Sequence, residues 1–455
     1  MSAFVSAFRE TYRGSVAAWE CDQYGHLNVQ FYVGRLSDAV ASMLLEGGLG
    51  RKGLEERRLG MVAVNQTLDY IKELRAGTLL RVESAVKLIE GRKMVLHHRL
   101  FDAESGEIAF KADVLGLCFD LDARKSVPWP EDLRQGFARL LIKQDEPLLP
   151  QAVPTLEPGW IATHRSPVNA WECDRMGHLN VQFYLGRAAE ADRQVLNAIG
   201  LGPKALKALG LRIQAQRYRL SFKREMHAAA VTTVRSGIRA AGKDGLQLYH
   251  EVIDPETGIL AASVEAGIML ERSDSGTVAP FPPEALARAE AYVAAFAGPA
   301  LAPPNGMPAA PTTVQPGMYE TCRGGVDQWE CHEDGRMAER FLMARFSSAA
   351  MNLLSGSEYN AVSMREAGLG SAALDYTIEI KRAMRVGDAY NCRTGVLELR
   401  DKTWRFCHVL LDSNTGETIA TAEVLAVLFD LKARKSVPLP EPARASFGKR
   451  LLQLA

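Results

Sequence analysis

Asp22 sits in a short turn, Asp22-Gln-Tyr-Gly25-His26, just before an apolar stripe of helical spacing that begins at Val29. A carboxylate on such a turn can act as a general base or as a nucleophile. The first turn of a helix carries unpaired N–H groups and a partial positive charge, which can polarise a carbonyl oxygen. Gly25 lets the turn close tightly and leaves room for a ligand. The same arrangement returns around Asp174, with Gly177, His178 and Val181. Each group also has a plainer reading. An Asp before a helix is often a turn or capping residue. Asn28 and Asn180 read as helix caps, or as groups that orient substrate or water. His26 and His178 orient the turn or pass a proton. Tyr32 and Tyr184 read as helix-face packing or as substrate contacts.

These elements belong to a unit that occurs three times. Trp19-Glu20-Cys21-Asp22 recurs as Trp171-Glu172-Cys173-Asp174 and as Trp329-Glu330-Cys331-His332, at offsets of 152 and 310. His98 lands on His250 and His408, and Phe119 to Pro128 recurs as Phe429 to Pro438. A period this long marks domains rather than a solenoid. We place them at 1–143, 159–297 and 318–455, with linkers rich in proline and small residues at 144–158 and 298–317. Within the first copy, Val29, Tyr32, Val33, Leu36, Val40, Met43 and Leu44 form one helical stripe, stopped at Gly47-Gly48. Leu80 to Leu88 alternates as a half-buried strand, and Lys93–Phe101 with Ile108–Phe119 reads as a further pair about a turn. One long helix against an antiparallel sheet is an α+β arrangement.

The run Trp19-Glu-Cys-Asp22-Gln-Tyr-Gly25-His26-Leu-Asn28, with Tyr32 a turn later, resembles the signature of hotdog-fold acyl-CoA thioesterases of the 4-hydroxybenzoyl-CoA type. The resemblance implies three tandem hotdog domains, each a long central helix wrapped by a five-stranded antiparallel sheet. It implies hydrolysis of an acyl-CoA thioester to free acid and coenzyme A. Asp22 with the N–H of Val29, and Asp174 with the N–H of Val181, would carry the reaction. Two other readings stand beside it. One is a hotdog hydratase or dehydratase on acyl-CoA or acyl-carrier protein, whose usual His motif at the helix is absent; the other is a non-catalytic acyl-CoA-binding module.

Comparison between copies separates scaffold from chemistry. All three keep Trp, Glu and Cys, together with Gly25/Gly177/Gly335, Phe31/Phe183/Phe341 and Arg35/Arg187/Arg345. The third has lost the Asp, His, Asn and Tyr, carrying His332, Arg336, Ala338 and Leu342 instead, with Glu339 where Val29 stands. A carboxylate there would fill the helix-start donor site. His98 and its equivalents, with Asp113, Glu265 and Glu423 on the next strand, persist in the degenerate copy and so read as structural pairs. Lys72 and Arg224, matched by Arg382, read as solvated charge or as contacts to the phosphates of coenzyme A.

Lys plus Arg equals Asp plus Glu, 54 each, which gives no electrostatic pull toward nucleic acid or an anionic membrane. The sequence shows no signal peptide and no apolar run long enough for a span. Seven scattered cysteines suit a reducing cytoplasm and suggest no metal site, and coenzyme A enters only as part of the substrate. Because a single hotdog leaves an edge strand bare, three copies imply a homodimer. The expected arrangement pairs copies one and two within the chain and sets copy three against its twin across a two-fold axis.

Overall fold

The computed structural model describes residues 7–142, 156–174, 176–300, 310–353, 355 and 360–453. Most of the 144–158 linker, and the 301–309 part of the second linker, lie outside them. Each copy runs strand, long helix, short helix, four long strands, a two-residue strand and a closing helix. Copy one comprises β1 (Arg9–Ser15), α1 (Val29–Glu46), α2 (Arg51–Arg57), β2 (Leu59–Tyr70), β3 (Leu79–Glu90), β4 (Lys93–Asp102), β5 (Ile108–Asp120), β6 (Lys125–Ser126) and α3 (Glu131–Ala138). Copy two comprises β7 (Trp160–Pro167), α4 (Val181–Ala198), α5 (Pro203–Ala208), β8 (Leu211–Phe222), β9 (Val231–Gly242), β10 (Gly245–Asp254), β11 (Ile259–Arg272), β12 (Val278–Ala279) and α6 (Pro283–Ala295). Copy three comprises β13 (Tyr319–Gly325), α7 (Glu339–Asn352), α8 (Ala361–Glu366), β14 (Leu369–Ile380), β15 (Ala389–Leu399), β16 (Thr403–Asp412), β17 (Thr418–Asp430), β18 (Lys435–Ser436) and α9 (Glu441–Gly448).

The five long strands of copy one lie in the order β2-β5-β4-β3-β1, all antiparallel, and the other copies repeat that order. The central helix buries one stripe against the sheet, Tyr32, Leu36, Ala39 and Met43 in α1, as helical spacing requires. The fold is thus α+β, three tandem hotdog domains. No helix among the described residues is long and apolar enough to cross a membrane.

The copies do not pair as the sequence suggested. β8 of copy two hydrogen-bonds along β14 of copy three, from Asp375 opposite Ser221 to Glu379 opposite Arg217. The β14 edge is therefore occupied, and copy three is not the one left to meet a twin. Among the described residues the one strand bridge between copies one and two is Arg13–Arg165, beside side-chain contacts such as Glu46–Arg165 and Asp102–Lys204. Charge explains the choice. The β8 edge carries Arg217 and Arg219, which meet Glu379 and Asp375 of β14 at 3.2 and 3.4 Å, and Ser221 donates to Asp375 at 2.7 Å. Opposite charges facing across strands favour this partner over others.

The recurring histidines are structural, but not through the carboxylates on the next strand. Register sets His97, not His98, opposite Asp113, and the two are joined at 2.7 Å. A one-residue step along a strand turns the side chain to the other face. His98 points inward, where Ser84 meets its Nδ1 at 2.6 Å and Thr11 meets Ser84 in turn. His250 with Ser236 and Thr163, and His408 with Thr394 and Thr321, repeat that chain.

Burial pushes His98 and His408 down to about 3. Both folded values lie below the ordinary value of about 6.5, so the unfolded chain takes up protons first as pH falls. Stability is then expected to drop from about pH 6.5 toward 3, by up to about 1.4 kcal/mol per pH unit for each histidine. Denaturant melts at pH 7.5, 6 and 5 test this. The His98→Gln/His408→Gln double variant should show a flatter decline than the parent, and equal slopes would contradict it.

Candidate active sites

The motif turn is clamped to its helix by residues that all three copies share. After the single 3-10 turn Ala18–Glu20, the buried Glu20 carboxylate accepts the N–H of Ala17 at 2.9 Å. Arg35, from the second turn of α1, holds both its oxygens at 2.6 and 2.7 Å. Glu172–Arg187 repeats the pair at 3.0 Å, and Glu330–Arg345 forms it again. Trp19 stands edge-on to Phe31 with ring centres 5.1 Å apart, as do Trp171 and Phe183, and Trp329 and Phe341. Gly25, Gly177 and Gly335 take φ of +77°, +77° and +76°, a conformation that favours glycine. These are the scaffold residues, and they explain why the degenerate copy keeps them.

Upon that scaffold the turn fixes the aspartate. Asp22 Oδ1 accepts the N–H of Tyr24 at 2.9 Å and of His26 at 3.1 Å. Asp174 Oδ1 does the same with Met176 and His178, at 2.8 and 3.1 Å. The turn reading is thus correct for one oxygen of each carboxylate, and Oδ2 remains without a partner among the described residues. The N–H of His26, against a modest cost of burial, and that of Tyr24 hold the Asp22 carboxyl below its ordinary range. Asp22 is therefore an anion across the neutral range. Six residues on, Asn28 and Asn180 cap α1 and α4, accepting from Gln30 and Gln182 at 3.2 Å. Among the described residues the N–H groups of Val29 and Val181 have no acceptor.

The remaining candidates divide. Tyr32 and Tyr184 are buried, the first against Tyr70 and Phe110 and the second against Phe222, so packing is their observed role. Lys72 is paired with Glu107, whereas Arg224 is exposed with no partner among the described residues. His26 Nε2 meets Glu73 at 3.1 Å and Arg75 at 2.7 Å. His178 meets Glu225 at 3.4 Å and stands edge-on to His227, and burial lowers its pKa. His178, Glu225 and His227 bring potential ligand atoms within 4.8 Å of one another, a grouping that sequence spacing did not reveal. Arg434 of copy three already engages the Glu225 carboxylate.

Copy three shows the same position closed. His332 Nε2 lies 3.1 Å from Glu339, at the place of Val29. Burial alone would raise the Glu339 carboxyl, but His332, Arg193 and its own backbone N–H hold it down at about 2. The Glu339 side chain thus stands at the start of α7, bonded to His332. Arg336 is buried between Asp334 at 2.6 Å and Gln214 of β8 at 3.2 Å, and a slot of only about 30 Å³ remains between this motif and β8.

Two further features lie away from the motifs. A cavity of about 470 Å³ opens where the three copies meet, walled by Trp19, Trp171 and Trp329 and by Glu20, Glu172 and Glu330, but by neither aspartate. Ser236, His250 and Asp192 form a chain at 2.7 and 2.9 Å that resembles a nucleophilic triad. All three are fully buried, so the chain holds α4 to β9 and β10 and offers no nucleophile. The cysteines of the motif are part-buried or buried thiols with pKa raised by burial, hence unreactive.

The profile of the thioesterase-like superfamily matches residues 16–137, 168–289 and 326–447, one copy each. A betainyl-CoA thioesterase of Pseudomonas aeruginosa is 29% identical over 135 residues, which is 30% of this chain and 85% of that protein. An L-carnitine dehydrogenase/betainyl-CoA thioesterase of Agrobacterium fabrum is 27% identical over 129 residues, 28% of this chain and only 26% of its own length. Among solved structures, the 12:0-ACP thioesterase of Umbellularia californica aligns with TM-score 0.46 at 12% identity, covering 60% of this chain and 95% of that one. With the profile covering most of its length, the chain belongs to the thioesterase-like superfamily, and its reaction class is thioester hydrolysis.

Proposed function

We propose that copies one and two hydrolyse acyl-CoA thioesters, with Asp22 and Asp174 acting on water or on the carbonyl carbon. The N–H groups of Val29 and Val181 receive the charge that develops on the carbonyl oxygen, each such donor being worth on the order of 10²–10³ in rate. One observation carries this reading. Where the aspartate is kept, the helix-start N–H has no acceptor among the described residues; where it is lost, a glutamate side chain stands at that helix start instead, bonded to His332 at 3.1 Å. Arg224, exposed and unpaired among the described residues, is our candidate contact for the phosphates of coenzyme A. The chemistry calls for no cofactor beyond the coenzyme A of the substrate. All seven cysteines are free thiols, in keeping with a cytoplasmic setting. Copy three takes no part in chemistry and serves as a structural half.

Two relatives bear the name betainyl-CoA thioesterase, which makes betainyl-CoA the first substrate to assay. The asparagine variants keep an oxygen for the turn N–H groups while removing the charge. Asp22→Asn/Asp174→Asn is expected to lower kcat for thiol release by about 10²–10⁴, with an unchanged melting temperature. Either single variant should keep part of the activity. Unchanged turnover in the double variant would end this assignment.

The pH profile supplies a second check. The reaction needs the ionised carboxylate, so activity is lost as pH falls through its pKa. Since Asp22 is held low, the Asp174→Asn variant should keep full kcat/KM down to about pH 4. An acid limb centred near pH 6 would assign the titrating base to another group.

A further inference from the structure

The three copies do not treat their second strand alike. β8 and β14 cover each other, but the equivalent β2 of copy one is exposed along nearly its whole length. Val62, Val64 and Tyr70, with Ile71 just beyond, are 44–52% exposed there. Among the described residues this twelve-residue edge has no strand partner, and an exposed edge with apolar side chains is a site for strand pairing.

Its composition points to one occupant. Transferring the β8–β14 register to copy one sets Thr67 opposite Thr67, and Asn65 opposite Asp69, of a second chain. Thr67 corresponds to Arg219 and Thr377. An Arg219 edge meeting its own copy would set like charges together, and it is matched instead by acidic Asp375 and Glu379. The β2 edge has no such charge at its centre and suits itself.

The internal pair also shows what a partner delivers. Between β17 and β18, Arg434 (φ +51°) reaches across to Glu225, the carboxylate beside His178 in the motif of copy two. The equivalent loop of copy one carries Arg124 at φ +54°, exposed and without a partner among the described residues. Its natural target has an equivalent too. Glu73 sits 3.1 Å from His26, with its side chain 68% exposed. Copy two has Gly276 at the loop position, and the motif it would face, in copy three, has Ala383 in place of the glutamate. Arginine and glutamate are thus kept together or lost together across each pairing.

We infer that two chains join β2 to β2 about an axis at Thr67, and that each lends Arg124 to Glu73 beside His26 in the other's copy-one site. Arg124 is a positioning residue: it acts through Glu73 on His26. The inference rests on copy one being a working site, and the test separates the two.

Sedimentation should give twice the 49.9 kDa chain mass for the parent. Thr67→Arg, which sets two guanidinium groups on the axis, should give one chain mass. A parent that stays at one chain mass at all concentrations overturns the inference. In an Asp174→Asn background, where only copy one reports, Arg124→Glu and Glu73→Arg are made on separate chains. Each alone should lose tenfold or more in kcat/KM and dimerise weakly. Mixed, both contacts are complementary, one restored by the swap and one native, so mass and activity should recover together. A mixture that merely averages its components shows that the contact does not run between chains and overturns the proposal. If the background variant itself is inactive while mixing still restores the dimer mass, the catalytic reading of copy one fails and the interface stands.

Discussion

The buried ion pair between the motif glutamate and the second-turn arginine of the central helix is what the rest of each copy hangs on. Glu20 has its carboxylate shared between the Ala17 N–H and Arg35. Removing one partner of such a buried pair typically costs about 3–5 kcal/mol, because the other charge is left uncompensated. The pair fixes where the turn enters the helix, and so fixes the aspartate relative to the helix-start N–H groups. It constrains folding rather than reaction, in keeping with Glu330 and Arg345 persisting where the motif aspartate is lost. The edge-on Trp–Phe contacts act in the same way from the other side of the turn.

A second constraint works at the sheet edges. Every hotdog sheet ends in a strand whose N–H and C=O groups seek partners, and triplication multiplies that hazard. Copies two and three answer it with opposite charge, arginines on β8 and acids on β14. Attraction between those edges and repulsion within each alone are enough to choose one pairing from several of the same backbone shape. The copies could diverge in this respect without any change to their cores.

Much of this was legible in the sequence, and the exceptions have physical causes. The repeat, the central helix and strands such as Lys93–Asp102 follow from period and spacing, because side chains that face a core must recur. The strand β2 was harder to read. A bulge between Ala63 and Asn65 breaks its alternation, so no single period runs through it. The pairing of copies was misread because it depends on which charges face across a gap, and one chain's sequence does not align those edges. His98 was set beside Asp113 for a related reason: neighbouring strand residues face opposite ways, and the one-residue difference from His97 shows only in the register. Of the candidate residues, the aspartate turns, the positive-φ glycines and the asparagine caps have the local geometry their sequence context implies, whereas Tyr32 and Tyr184 are packed in the core. The grouping of His178, Glu225 and His227 needs the closing of the motif turn onto the segment after β8, where His178 bridges His227, and that contact is not local in sequence.

The persistence of a copy without the motif aspartate then follows from the pairing. Copy two's motif has no complete surroundings of its own, since the Arg434 that meets Glu225 comes from the loop after β17 and the covered edge beside it comes from β14. Losing copy three would bare β8 and release that arginine, so selection on copy two's site also acts on copy three's fold. Nothing acts on copy three's own turn except the need to fill it. Glu339, His332 and Arg336 do so with groups that satisfy one another: a carboxylate at the helix start, a histidine against that carboxylate, and a guanidinium between Asp334 and Gln214. A vacant polar pocket against a neighbouring strand would leave buried donors without acceptors, which is costly. The third motif is best understood as a site rebuilt into an interface.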